Sequence, residues 1–313
     1  MNKIDKNQLI EEAGRVAVLM GGTSAEREIS LLSGAAVLGG LESAGLNVIG
    51  IDAGNDLIDQ LQVVRPDRVF NMLHGRGGED GAVQGLLNSL QIPFTGSDIL
   101  GSALSMDKLK SKLIWKQLGL ETPDFQVLHA DSDWPGVMDQ LGVAVVKPVN
   151  EGSSIGMSIA RTAAQLKEAF YTAQEFDFLV LAEQHIEGEE YSLSILQQIV
   201  LPAIQLKTDR EFYDFDAKYC ASNTEYICPV DLSVEPLDKL NSLSMSAFNC
   251  LGCEGWGRVD VMRNTEGEFL LLEVNTVPGM TDHSLVPMAA KQAGISYEDL
   301  LLQILFAKGS RGK

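Results

Sequence analysis

Three short apolar runs near the start of the chain restrict its fold more than any other feature. RVAVLM (15–20), LNVIGID (46–52) and RVFNML (68–73) read as strands, and helical stretches separate them, one reaching about Ala44 and one over 56–64. Strands alternating with helices build βαβ units and a parallel sheet. Ligands of such sheets gather outside the carboxyl ends of the strands. Two glycine-rich loops sit at such ends, GGTSAEREIS from Gly21 and HGRGGEDG over 74–81. The first lacks GxGxxG, which disfavours a dinucleotide site. Thr23 or Ser24 can cap the helix that follows, with Glu26 in its first turn. A carboxylate beside a strand-end glycine pair could also hold a substrate ammonium. His74 opens its loop directly after a strand, a better place for chemistry than His129 or His185, which read as structural. His283 is open to either reading.

The rest of the chain changes pattern. A boundary falls near PFTGSD (93–98), and one helix is expected over 98–119, ending at Gly119 with Pro123 beyond. Lys108 and Lys112 lie on it, where a solvated face is the ordinary reading. Strand VAVVKP (143–148) leads into NEGSSIGM (150–157). Backbone N–H groups of such a loop can cradle phosphate, although GxxxxGK[ST] is absent and a plain hairpin turn is the simpler alternative. A helix over 162–174, strand 178–186, two antiparallel strands within 190–206, a polar loop over 207–229 and a helix over 235–251 follow.

The 313 residues exceed one core, and 45% hydrophobic content supplies several. A net charge of −19 argues against nucleic acid and anionic membranes as partners, while leaving room for a local basic pocket. MNKIDKNQLIEEAG has no apolar signal core, and no run reaches the roughly 18 apolar residues of a membrane helix, so a cytoplasmic chain is expected. The four cysteines read as reduced thiols. Cys250 and Cys253 form a CxxC at the end of a core-like helix, and Cys220 and Cys228 are too far apart for a usual zinc knuckle.

The last hairpin carries the chemistry. Arg258 and Asp260 are two residues apart in WGRVDVM, as are Glu273 and Asn275 in LLLEVNTVPGM, so each pair shares a strand face. Pairing Arg263 with Glu268 across RNTEGEF would set Asp260 opposite Leu271 and Arg258 opposite Glu273, all four on one face; a one-residue slip would break this. Buried charges need partners. Asp, Glu and Asn oxygens suit Mg²⁺ shared with phosphates. Arg258 is a permanent cation for a developing oxyanion. An ion pair of Arg258 with Glu273 or Asp260 is the simpler alternative. It leaves Asn275 and the following TVPGM unexplained.

Seven segments together resemble the D-alanine–D-alanine ligases of the ATP-grasp superfamily, in order and over residues 15–305: GGTSAEREIS, LHGRGGEDG, SMDKLKSK, KPVNEGSSIGM, FYDFDAKY, GWGRVDVM and LLEVNTVPGMTDHSLVP. The resemblance implies an α/β chain, α+β in its C-terminal half. The implied architecture is an ATP-grasp fold with an N-terminal parallel-sheet, Rossmann-like domain. Three domains would span 1–97, 98–187 and 188–313, the last with a metal site and a mobile loop over 207–229. ATP would lie between the sheets of the last two. The implied reaction joins two D-alanines through an acyl phosphate, for peptidoglycan.

By motif, Asp260, Glu273 and Asn275 would hold two Mg²⁺ ions, with Mn²⁺ as a substitute. Lys108, Lys147, Glu151, Ser154 and Lys218 would serve the nucleotide, with Glu183 at the adenine and Glu190 at the ribose. Glu26, Ser153 and Tyr219 would hold the first D-alanine, with Lys218 and Tyr219 on the mobile loop. Arg258 and the Gly279 N–H would form the oxyanion hole, Ser284 and Leu285 would take the second carboxylate, and His74 would lie close to the substrates. The family suggests a homodimer. Relatives making D-alanyl-D-lactate have His where this chain has Tyr219, which favours the dipeptide. Phe215, Asp216 and Asp282 depart from the usual Tyr, Glu and Ser. The alternatives are another ATP-grasp carboxylate–amine ligase, a D-alanyl-D-lactate ligase, or a nucleotide-binding regulatory module; the intact Arg258 and metal set speak against the last.

Overall fold

The computed structural model describes residues 6–207 and 224–307. Lys218 and Tyr219, with Phe215, Asp216 and Cys220, lie outside the described residues. The first segment runs α1 (Lys6–Ala13), β1 (Arg15–Gly21), α2 (Arg27–Ser43), β2 (Asn47–Ala53), α3 (Leu57–Val64), β3 (Arg68–Asn71) and α4 (Ala82–Ser89). Its sheet has the order β2–β1–β3, all parallel, as the βαβ pattern requires. Val16 and Val18 face one core with Val37 and Leu41 of α2, while Ala17 and Leu19 face another with Leu61 and Leu87. Both faces are covered, so the strand reads as an unbroken apolar run. The loops after β1 and β3 open together at the strands' carboxyl ends.

The middle segment contains α5 (Ile99–Met106), α6 (Lys108–Gln117), β4 (Phe125–Leu128), α7 (Trp134–Leu141), β5 (Ala144–Pro148), β6 (Ser158–Ala160), α8 (Ala163–Gln174) and β7 (Val180–Gln184). The single helix expected over 98–119 is two. Asp107 takes an extended conformation (φ −83°, ψ 95°), and its side chain accepts the Lys110 N–H, capping α6. An Asp can break a helix because its carboxylate competes for backbone donors. The sheet β4–β7–β5–β6 is antiparallel. Val146, Val180 and Ala182 turn into a core with α7 and α8, so Lys147 and Glu183 emerge on the opposite face.

The last segment runs β8 (Gly188–Leu196), β9 (Ile199–Val200), β10 (Ile204–Lys207), β11 (Glu225–Ile227), α9 (Val234–Cys250), β12 (Trp256–Asn264), β13 (Phe269–Asn275), α10 (Leu285–Gln292) and α11 (Tyr297–Leu305). Its antiparallel sheet has the order β11–β10–β8–β12–β13, with β9 returning along β8. The stretch expected to be loop over 207–229 therefore contains a strand, β11. Leu193, Val259, Val261, Leu271 and Val274 face α9. Helices α10 and α11 do not pack on this sheet alone: Ala289, Leu300, Leu301 and Ile304 join the core beneath β1 and α2. Gly40 of α2 permits this closeness, since a Cβ there would lie 2.5 Å from Leu301 and 2.7 Å from Tyr297. Among the described residues, no helix is long and apolar enough to cross a membrane.

Candidate active site

The β12–β13 pairing differs from the expected register, and the difference places the site. Arg263 pairs with Phe269, one residue from the expected Glu268, and would by itself invert the faces. A β-bulge then inserts one residue, so Val261 pairs with Leu271 but Asp260 pairs with Glu273 and Arg258 with Asn275. Leu272 is the extra residue. The bulge lets Leu271 enter the core while Glu273 and Asn275 face the cleft with Arg258 and Asp260. On the other side of β12, Asp260 pairs with Ser192 and Met262 with Glu190, which extends the polar face onto β8.

Asp260 is fully engaged. Arg258 Nε donates to Oδ1 at 2.9 Å and Nη2 to Oδ2 at 2.7 Å. Ser192 Oγ donates to Oδ1 at 2.8 Å, and Asn275 Nδ2 to Oδ2 at 3.1 Å. The ion pair that the sequence allowed as the simpler alternative is present, and Asn275 belongs to it. Lys108 Nζ lies 3.4 Å from Glu273 Oε2 and donates to the Glu151 carbonyl at 2.6 Å. Among the described residues, no three His, Cys, Asp or Glu side chains gather closely enough to cage a metal unaided. Two carboxylates facing each other across a strand pair, beside an amide, nevertheless fit Mg²⁺, which completes its shell with waters and phosphate oxygens.

Glu26 ends the loop after β1. Ser24 Oγ takes the Glu26 N–H at 3.2 Å and donates to the His74 carbonyl at 2.7 Å, and the Glu26 carboxylate makes no capping bond. It is buried and accepts a hydrogen bond from Ser153 Oγ. A Cβ at Gly75 would lie 2.8 Å, and one at Gly152 2.7 Å, from Glu26 Oε2. Two glycines thus let loops from different sheets close on one carboxylate. Ser153 and Ser154 both hold the left-handed conformation (φ 50° and 60°), a strain met mainly at functional sites. Arg76 ties the same loops from outside, 2.8 Å from Glu151 Oε1.

Sequence reasoning passed over Glu79. Its Oε2 accepts the Gly75 N–H at 2.7 Å and its Oε1 the Val277 N–H at 3.3 Å. Burial first, and then the Glu26 carboxylate, push the Glu79 carboxyl up to about 8, against those two bonds and Arg258. The only signal was its place in HGRGGEDG. His74 is buried with Nε2 unpartnered. Burial lowers it to about 4, opposed by a Val277 backbone bond and assisted by Arg258, so its imidazole is neutral at physiological pH. Lys112, expected on a solvated face, is wholly buried, 2.6 Å from Glu183 Oε1; Lys147 lies 2.6 Å from Oε2.

Two cavities share a wall here. One of about 630 Å³ is bounded by Glu26, His74, Arg258, Asn275, Gly279 and Ser284. The other, of about 170 Å³, is bounded by Lys147, Glu151, Ser154, Glu183, Glu190 and Asp260, with His185 also on its wall. Lys108, Ser153 and Glu273 border both. Ser284 Oγ accepts the Thr281 N–H at 2.9 Å. Tyr297 OH donates to the Met280 carbonyl at 2.7 Å, and Ser33 Oγ accepts the Met280 N–H at 3.3 Å. Elements α11 and α2 thereby hold the turn that carries Gly279. Cys253 is buried against Ser105 Oγ at 2.9 Å, and Ser105 borders the larger cavity.

Comparison with known proteins gives the same picture. A family model described as D-ala D-ala ligase C-terminus matches residues 114–306, and one described as D-ala D-ala ligase N-terminus matches 54–97. A D-alanine–D-alanine ligase of Saccharophagus degradans is 54% identical, with 93% of each chain covered. D-alanine–D-alanine ligase B of Pseudomonas putida is 50% identical over 97% of this chain and 96% of that one. The crystal structure of the D-alanine–D-alanine ligase from Bacillus anthracis complexed with ATP superposes with a TM-score of 0.82 at 35% identity, covering 93% of this chain and 96% of the other. With these relatives the chain shares the ATP-grasp fold, two antiparallel sheets enclosing the smaller cavity beside a parallel-sheet segment. Sequence, fold and the cleft between the sheets converge on one assignment: the chain belongs to the D-alanine–D-alanine ligase family.

Proposed function

We propose that the chain joins two D-alanines into D-alanyl-D-alanine, with ATP converted to ADP and phosphate, for peptidoglycan synthesis. The observation that carries this is the shared wall: Lys108, Ser153 and Glu273 border both cavities, where a phosphoryl group must pass from nucleotide to substrate. Glu183 and Glu190 read the base and ribose. Lys147, Lys108, Glu151 and the Ser154 loop hold the phosphates. Asp260, Glu273 and Asn275 would hold two Mg²⁺ ions, or Mn²⁺. When bound, the metal would neutralise phosphate charge and favour in-line transfer.

Glu26, steadied by Ser153, holds the first D-alanine's ammonium, and Tyr219 belongs with it by motif. The substrate carboxylate oxygen attacks the γ-phosphorus; that O–P bond forms as the bond to the β,γ-bridging oxygen breaks. The second D-alanine, its carboxylate at Ser284 and Leu285, attacks the acyl phosphate carbon through its amine. Charge gathers on the former carbonyl oxygen, where Arg258 and the Gly279 N–H receive it; the carbonyl then re-forms, the bond to the phosphate oxygen breaks, and the neutral amine's proton leaves with the phosphate. Neutral His74 offers one nitrogen to the substrates. We infer three domains over 1–97, 98–187 and 188–313, a homodimer, and a cytoplasmic location; the residue spans follow the motif order and the location follows from substrates, ATP and D-alanine, that belong to the cell interior.

The test is phosphate release from ATP and Mg²⁺ with D-alanine, with L-alanine, and with D-alanine plus D-lactate, products identified by mass. Release that depends on D-alanine, with the dipeptide as product, supports the proposal. ATP binding without D-alanine-dependent release overturns the substrate assignment.

A further inference from the structure

Lys112 is a buried cation with no part in the chemistry above. Its side chain has 0% exposure, and Nζ sits 2.6 Å from Glu183 Oε1. Nζ also donates to Thr122 Oγ1 at 2.7 Å and to the Leu271 carbonyl at 3.4 Å, so it is held on three sides. Lys147 takes the other Glu183 oxygen at 2.6 Å, but it borders the smaller cavity and can turn to a phosphate. Once it turns, Lys112 is the charge left on Glu183.

The consequence concerns what Glu183 can recognise. A buried carboxylate without a counter-ion takes up a proton. A carboxylate only accepts hydrogen bonds; a carboxylic acid also donates. A 6-aminopurine presents a donor at its exocyclic position and a 6-oxopurine an acceptor. Building on the reading that Glu183 faces the base, we propose that Lys112 is a positioning residue, the fixed counter-ion that keeps Glu183 an acceptor and so makes the site prefer a 6-aminopurine nucleotide over a 6-oxopurine one. Burial works to raise the Glu183 carboxyl, and Lys112 and Lys147 together outweigh it, holding it below its usual value. The charged groups bearing on the pair are Lys112 from α6, Lys147 from β5 and Glu273 from β13, which acts on Lys112.

The experiment compares kcat/KM for ATP and inosine triphosphate at saturating D-alanine, from mildly acidic to neutral pH, below the value of about 8 to which burial lowers Lys112. Wild type, Lys112→Met, Lys112→Gln, Lys112→Arg and Glu183→Gln are measured. Lys112→Met should narrow the preference for ATP by about tenfold, the worth of one buried hydrogen bond, and most at acidic pH, where Glu183 carries the proton. Lys112→Arg should keep the preference. If Lys112→Met does not fold, Lys112→Gln, which keeps donors without charge, carries the comparison. A wild-type ratio at every pH in the uncharged variants, while Glu183→Gln narrows it, overturns the role of Lys112. An unchanged ratio in Glu183→Gln overturns the base reading itself, and the proposal with it.

Discussion

Arg258 illustrates how much one side chain can be asked to do. Its fork holds Asp260 at 2.7 Å and 2.9 Å, so its charge is already fixed in place beside the larger cavity. Arg258→Ala should lower turnover by about 10²–10³-fold, the loss expected for one oxyanion donor, read by phosphate release at saturating substrates. Near-normal turnover would remove Arg258 from the oxyanion hole. Glu79 predicts a pH effect. Its folded carboxyl sits near 8, above its unfolded value. The folded state then holds a proton that the unfolded state has lost, so stability is full in acid and falls as pH rises toward 8. Glu79→Gln should flatten that fall in melts across this range; a parallel fall in both proteins would contradict it. Arg258 with Asp260, and Glu273 with Asn275, were legible as pairs because two-residue spacing forces a shared strand face; that the two pairs meet depends on the bulge at Leu272. Glu79 and Lys112 were not, because their roles depend on neighbours distant in sequence: Val277 for one, Glu183 and Leu271 for the other.

At the scale of elements, two local irregularities aim the site. The break at Asp107 starts α6 at Lys108, which reaches the Glu151 carbonyl and Glu273. Asp107→Ala should cost about 0.5–2 kcal/mol of stability by denaturant titration, the usual worth of an N-cap, and should raise KM for ATP more than KM for D-alanine. Equal changes in both KM values would mean that the cap stabilises without aiming Lys108. The second irregularity is the bulge at Leu272. Hydrophobic alternation revealed the strands, the βαβ order and the shared polar face. It could not reveal the bulge, since three consecutive leucines fit either register until β12 and α9 fix which of them is buried. The same limit hid the break at Asp107 within a run of helix-forming residues.

For the molecule as a whole, a chain of net charge −19 keeps Lys108, Lys147 and Arg258 on the walls of the two cavities, but Glu26, Glu79, Glu151, Glu183, Glu190, Asp260 and Glu273 share those walls, so the lining is of mixed charge rather than the basic pocket that composition left room for. Its largest core unites distant segments: Val16, Val18 and Leu41 pack with Leu300, Leu301 and Ile304. Leu301 has 0% exposure, so Leu301→Ala should destabilise the fold by about 2–5 kcal/mol. Hydrogen exchange should then quicken in β1 as well as in α11; faster exchange confined to α11 would show that the two segments open independently. That core also bears on synthesis. A ribosome adds roughly 5–20 residues per second, so β1 emerges on the order of 15–60 s before α11 exists to cover it. The first sheet of this chain is a surface kept waiting, and nascent chains halted before Leu285 should remain open to protease there until the last helices are translated.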